Sequence, residues 1–287
     1  MNEQIEFTFI TTNGVRLHVA QAGPQDGPLV VLLHGFPEFW YGWRRQIAPL
    51  ADAGFRVIAP DQRGYNLSEV PKGVEAYRMA ELSKDVAGLL DALGRNDCCL
   101  VGHDWGAAVA WNVALTYPER VQKLAILNVP HPAVMLDYLK RNPRQMLKSW
   151  YIAFFQIPGL ADWLVRLNDF HQAAGSLRGS SQPGTFSDED IAEYKKAWKN
   201  SAGLTGMINW YRALLRYRPS MPEDNRLHMP VRILWGKRDA FLSHEMAGLS
   251  AQLCDQAELT LFEHATHWVQ HEEAQAVSQA LIQFFRG

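Results

Sequence analysis

Val101-Gly102-His103-Asp104-Trp105-Gly106-Ala107 is the stretch that decides the reading of this chain. It follows the apolar run Cys98–Gly102 and opens the helical pattern Gly106–Leu115. Gly102 and Gly106 flank residue 104 in the frame G-x-Nuc-x-G, a sharp strand-to-helix turn that lifts its central side chain above a sheet. The N–H of Trp105 then lies at a helix N-terminus, where negative charge is stabilised. The central residue is Asp rather than Ser. A carboxylate is a poor nucleophile for acyl transfer, because the product would be an anhydride. Toward an electrophilic alkyl carbon it is a reasonable SN2 nucleophile, and the product is an ester. No G-x-S-x-G occurs elsewhere, which speaks against a serine esterase. Helix capping by Asp104 is the competing, purely structural reading.

Around this turn, unbroken apolar runs alternate with helical patterns. Ile5–Ile10 and Val15–Gln21 form a hairpin about Asn13-Gly14. Leu29–Leu33, Phe55–Ala59, Cys98–Gly102 and Val121–Leu127 read as strands buried on both faces. Trp40–Ala51 and Met79–Leu93 read as helices between them. From His131 to about Arg226 the strand pattern is lost. Helices are expected there at Pro143–Phe155, Gly159–Asn168, Asp188–Asn200 and Leu204–Leu215, with a loop at Gly175–Thr185. The alternation returns with strands Val231–Trp235 and Glu258–Phe262, helix His244–Leu253 and a last helix from Trp268 to Phe285. The expected fold class is α/β: a mostly parallel central sheet flanked by helices, with an inserted helical cap. Residues 1–130 and 227–287 form the core, and residues 131–226 the cap.

Partners for Asp104 follow in chain order. Asp239 lies just beyond the strand Val231–Trp235, and His267 just beyond Glu258–Phe262. Nucleophile, acid, histidine is the order of the α/β-hydrolase triad. Asp239 would orient His267, which would take a proton from water. His264 and His271 fit the spacing less well, and Asp255 replaces Asp239 only with different strand boundaries. The oxyanion of ester hydrolysis needs two donors. The backbone N–H groups of Phe36, in His34-Gly35-Phe36-Pro37, and of Trp105 are the natural pair.

Composition narrows the partners. The 287 residues carry 28 Lys and Arg against 30 Asp and Glu, so no strong basic field is available for nucleic acid or an anionic membrane. No apolar run reaches the roughly 20 residues that span a bilayer. No secretory leader is evident in Met1–Ile10, so the cytoplasm is the expected location. Three cysteines, Cys98, Cys99 and Cys254, make neither a disulfide framework nor a metal cluster. No dinucleotide or P-loop fingerprint is present, so neither cofactor nor metal is expected. The ten Trp exceed what a core of this size usually needs.

The motifs His34-Gly35-Phe36-Pro37-Glu38, Asp61-Gln62-Arg63-Gly64-Tyr65, Gly102-His103-Asp104-Trp105-Gly106 and His267-Trp268-Val269-Gln270-His271-Glu272 closely resemble those of the α/β-hydrolase epoxide hydrolases of the soluble type. The resemblance covers essentially the full chain, with the cap following Asn128-Val129-Pro130-His131-Pro132. It implies Asp104 as nucleophile, Asp239 as charge partner and His267 as base. It also implies two cap tyrosines that hold the epoxide oxygen. Tyr151-Ile152-Ala153-Phe154-Phe155-Gln156 points to Tyr151, with an offset of one helical turn open, and Asn209-Trp210-Tyr211-Arg212 points to Tyr211. A small apolar epoxide and water are the implied partners. Trp105, Phe36, Phe155, Trp210 and Trp268 are the expected wall of the substrate cleft. Two rivals remain at this point. A haloalkane dehalogenase forms the same aspartyl ester and could use the Trp105 indole for halide. A non-catalytic ligand-binding protein of this fold has no chemical need for nucleophile, acid and base together.

Overall fold

The computed structural model describes residues 5–200, 204–219 and 221–287. Residues 1–4 of the segment read for a leader, and residues 201–203 and 220 of the expected cap, lie outside them. Eight strands form one sheet: β1 (Glu6–Thr12), β2 (Val15–Ala22), β3 (Leu29–Leu33), β4 (Arg56–Pro60), β5 (Cys98–His103), β6 (Val121–Leu127), β7 (Val231–Gly236) and β8 (Ala257–Phe262). Their order across the sheet is β1-β2-β4-β3-β5-β6-β7-β8. The β1–β2 and β2–β4 pairs are antiparallel, and all other pairs are parallel. The first hairpin turns at Asn13 and Gly14, both at positive φ, as a two-residue turn matched to strand twist requires.

Apolar runs become central strands because both faces of the sheet are covered. All five residues of β3 are buried, at about 1.5–3 kcal/mol for each Leu or Val side chain. On one face Val30, Leu32 and Val57 pack against Trp43, Ile47 and Leu50, from helix α1 (Arg44–Asp52) and the turn before it. Val277, Leu281 and Phe285 of the C-terminal helix complete that layer. On the other face Val31, Leu33 and Leu100 meet α2 (Met79–Ala92) and α3 (Trp105–Thr116) through Val86, Leu89 and Val109.

Between β6 and β7 the regular elements are all helical: α4 (Pro132–Arg141), α5 (Pro143–Lys148), α6 (Trp150–Phe154), α7 (Leu160–Gly179), α8 (Asp188–Asn200) and α9 (Thr205–Arg216). Then come α10 (Glu245–Ala251), α11 (Val269–Glu272) and α12 (Ala274–Arg286). Several boundaries differ from the expected ones. The helix α4 had no place in the sequence reading. Pro132 at its first position and the His131 ring, which accepts the Ala133 N–H, start it. Pro143–Phe155 divides at Ser149, and the last helix divides at Glu273. The span α7 is two helical stretches broken at residues 167–170, where Leu167 is extended and Asn168, Asp169 and Phe170 are left-handed. The break falls at the expected helix end, Asn168, while the second stretch runs to Gly179, so the expected loop at Gly175–Thr185 is helical in its first half.

Candidate active site

The ends of five neighbouring parallel strands, β3, β5, β6, β7 and β8, converge at the carboxyl edge of the sheet, where sites collect in open α/β folds. Asp104 follows β5 at φ 49°, ψ −123°, in the strained turn that the glycine frame predicts. A Cβ on Gly106 would collide with the Leu33 carbonyl, so α3 could not start this close to β3 with a larger residue. A Cβ on Gly35 would strike the Asp104 side chain itself. The Phe36 N–H therefore reaches the carboxylate, donating to Asp104 Oδ1 at 2.6 Å. The Phe36-Pro37 bond is cis.

Asp104 Oδ2 lies 3.5 Å from His267 Nε2. On the far side of the ring, His267 Nδ1 lies 2.8 Å from Asp239 Oδ2. Asp239 is fully held: its Oδ1 accepts the N–H groups of Phe241 and Leu242 at 2.7 and 2.9 Å, and its Oδ2 accepts Asn128 Nδ2 at 2.8 Å. Burial would raise the Asp239 pKa, but His267 and these donors keep it below the ordinary carboxylate value. Burial likewise works against charge on His267. The Asp239 and Asp104 carboxylates outweigh it and push the imidazole up to about 10. A raised folded-state pKa adds stability that is complete below about pH 6.5 and is lost as pH rises toward about 10. Urea midpoints should therefore fall between pH 7 and 10, and His267→Gln should flatten that decline. An unchanged decline in the variant would mean that another group causes it.

Tyr151, from α6, and Tyr211, from α9, face this constellation. Tyr151 and Tyr211 lie edge to face, 5.8 Å between ring centroids. Tyr211 is wedged among Phe36, Trp105 and Phe155 at 4.9–5.3 Å. Burial, reinforced by the Asp104 charge, raises both phenols above their ordinary value, so both stay protonated donors. A cavity of about 760 Å³ joins these groups. Asp104, His267, Tyr151 and Tyr211 line it with Phe36, Phe155, Phe241 and Trp268, and most of its wall is apolar.

Two of the expected wall residues are elsewhere. Trp210 does not line the cavity: it is buried, packs against Tyr65 and Trp105, and donates its indole N–H to the Arg63 carbonyl at 3.1 Å. Successive helical residues point about 100° apart, so turning Tyr211 to the cavity turns Trp210 into the core. Trp105 packs against Tyr211, 4.9 Å between ring centroids, and is absent from the cavity wall. Its N–H remains one of the free amides at the start of α3.

Motif spacing had not assigned the support around the site. Asn128, at the end of β6 with φ 56°, donates to Asp239 and to the Thr266 carbonyl and accepts the Gly236 N–H at 3.3 Å. It thus ties the acid loop to the base loop. Glu38 is wholly buried two residues after Phe36. Its carboxylate accepts from Tyr194 Oη at 2.6 Å, His271 Nε2 at 2.7 Å and Gln270 Nε2 at 2.9 Å, with the His103 ring at 3.3 Å. Burial favours its neutral form, but the His271 and His103 interactions hold it well below the usual range. His103 Nε2 in turn donates to the His267 carbonyl at 2.8 Å. Trp198, one helical turn after Tyr194, donates to the Pro37 carbonyl at 2.6 Å. Removing one buried partner strands the others at about 1–3 kcal/mol per group. Glu38→Ala should therefore lower Tm by about 10 °C, measured by calorimetry. A change within 2 °C or so would mean that water replaces the carboxylate at no net cost.

Sequence and structure comparisons agree with this fold. Residues 28–274 match the family described as alpha/beta hydrolase fold. The chain belongs to the α/β-hydrolase fold family. This α/β hydrolase is 46% identical over 286 residues to the AB hydrolase superfamily protein YfhM of Bacillus subtilis, spanning 98% of each protein. It is 37% identical to human epoxide hydrolase 4, over 96% of this chain and 77% of that one. Its structure is similar to that of Bacillus megaterium epoxide hydrolase bound to an inhibitor, with TM-score 0.89 and 32% identity over 98% and 100% of the two chains.

Proposed function

We propose that this α/β hydrolase converts an epoxide and water to a vicinal diol through a covalent ester on Asp104. The observation that carries the reading is a carboxylate, backed by a His–Asp pair, facing two protonated phenols across a mostly apolar cavity. Residues 131–226 act as the cap that supplies the phenols. Tyr151 and Tyr211 hydrogen-bond the epoxide oxygen. Asp104 Oδ2 attacks a ring carbon, the carbon–oxygen bond breaks, and a phenol gives its proton to the leaving alkoxide. Oδ1, already on the Phe36 N–H, becomes the ester carbonyl oxygen.

Alkylation removes the Asp104 charge, one of the influences that hold His267 protonated. The imidazolium can then give up its proton, which by way of solvent restores the phenolate to phenol, and the neutral imidazole acts as base toward water. Water attacks the ester carbonyl carbon, and His267 Nε2 takes its proton. The oxyanion on Oδ1 rests between the Phe36 and Trp105 N–H groups. Its collapse breaks the bond to the diol oxygen, which leaves as an alkoxide and takes the proton of the carboxylic acid formed at Asp104, so the diol departs and the carboxylate is restored.

The aspartyl ester is shared with haloalkane dehalogenation, but a halide leaves without needing a proton, so two phenols favour ring opening. Turnover of styrene oxide compared with a chloroalkane tests the class. Diol from the epoxide with negligible halide release is expected. Rapid halide release without diol would overturn the reading. Tyr211→Phe should slow single-turnover alkylation by about 10²-fold, and the Tyr151→Phe, Tyr211→Phe double variant should abolish it. An unimpaired double variant would mean that the epoxide oxygen is protonated elsewhere.

A further inference from the structure

Among the described residues sixteen large hydrophobic side chains are exposed, and eight of them fall within residues 136–167. Of the ten Trp, the exposed ones are Trp150 at 65% and Trp163 at 57%, both in this segment. They form two stripes. Met146, Leu147 and Trp150 run along α5 into α6. Leu160, Trp163 and Leu164 recur at the i, i+3, i+4 spacing of one helix face of α7, and Leu167 follows where that helical stretch breaks. The stripes meet at one place: Leu147, Trp150 and Leu164 all line the catalytic cavity. The patch is therefore the rim of the cavity mouth. Exposed apolar surface grouped in this way marks an interaction site.

The same segment carries five basic residues, Lys140, Arg141, Arg144, Lys148 and Arg166, against two acidic ones, Asp137 and Asp162. Its local net charge is +3 in a chain whose formal net charge is −2. Trp and Leu beside Lys and Arg are the signature of a surface that lies in a lipid interface, apolar groups in the acyl boundary and cations among anionic headgroups. A second copy of the chain fits less well, because a two-fold dimer would bring each positive rim against its twin.

We infer that the rim of the cavity mouth, built on α4–α7, docks peripherally on an anionic lipid surface. No helix among the described residues is long and apolar enough to cross a membrane, so the contact is superficial. The whole-chain charge that argued against membranes averages this patch with an acidic remainder. Docking places the mouth against the phase into which apolar compounds partition. Resting on the proposed function, this makes lipid-dissolved epoxides the substrates that enter.

Flotation with substrate-free vesicles tests docking apart from catalysis. Phosphatidylcholine vesicles containing phosphatidylglycerol should retain the protein on the order of 10²-fold better than phosphatidylcholine alone, and salt should abolish the difference. Met146→Glu with Trp163→Glu should lose retention yet keep wild-type turnover of styrene oxide in vesicle-free buffer. Lys140→Glu with Arg144→Glu should lose the anionic preference. Equal retention on both vesicles, or none on either, overturns the inference and leaves the epoxide reading standing. Dimerisation that Trp163→Glu abolishes, without vesicle binding, assigns the face to a second copy and overturns it too. Wild-type docking without diol formation would instead overturn the catalytic reading alone.

Discussion

With His267 replaced by Gln, the first turnover goes to the ester and stops there. In the proposed mechanism nothing in ring opening requires the imidazole: Asp104 would attack, and a phenol of Tyr151 or Tyr211 would protonate the oxygen. Hydrolysis of the ester requires a base 3–4 Å from Asp104, and His267 Nε2 lies 3.5 Å from Oδ2. Losing a positioned base slows its step by about 10²–10⁴-fold. Mass spectrometry of the variant after mixing with styrene oxide should find protein heavier by the full mass of the epoxide, since addition expels no leaving group. The adduct should map to the peptide that holds Asp104. Unmodified protein with rapid diol release would remove His267 from the mechanism. An adduct on another residue would remove Asp104.

Asp104→Ala should lower diol formation further, by on the order of 10⁴–10⁶-fold, the range seen when a nucleophile is deleted from a preassembled site. The residual rate should show no burst and no adduct. The substitution also frees the Phe36 N–H and removes one of the two carboxylates that raise His267, leaving Asp239. The His267 pKa should then fall from about 10 toward its ordinary value, a shift that proton NMR of the ring can follow. Loss of activity with an unchanged His267 titration would mean that the two groups do not interact in solution.

The reaction centre was legible because it is local in sequence. Each of Asp104, Asp239 and His267 sits just past an apolar run, and parallel strands carry those ends to one edge. The strands were legible for the same reason, being buried on both faces. The support was not. Glu38 lies 156 residues from Tyr194 and 233 from His271, so no periodicity joins them. Asn128 was visible only as the residue that ends a strand, with nothing to mark its reach to Asp239. Trp210 was misplaced because adjacency to Tyr211 in sequence is divergence on a helix. The helical segment was less legible: the expected helix end at Asn168 matches the break in α7, but the second stretch, running on to Gly179, was read partly as loop. Nothing in the sequence separates the exposed Trp150 and Trp163 from the six Trp at under 2% exposure; only the packing does.

The central claim is the ester on Asp104, and isotope transfer tests it most directly. A single turnover with enzyme in excess, in ¹⁸O-labelled water, should give a diol without label, because its new oxygen comes from Asp104 Oδ2. The label should appear in the Asp104 carboxylate of the recovered protein. A labelled diol from that first turnover, with unlabelled Asp104, would mean that water attacks the epoxide directly, and the covalent account would be wrong.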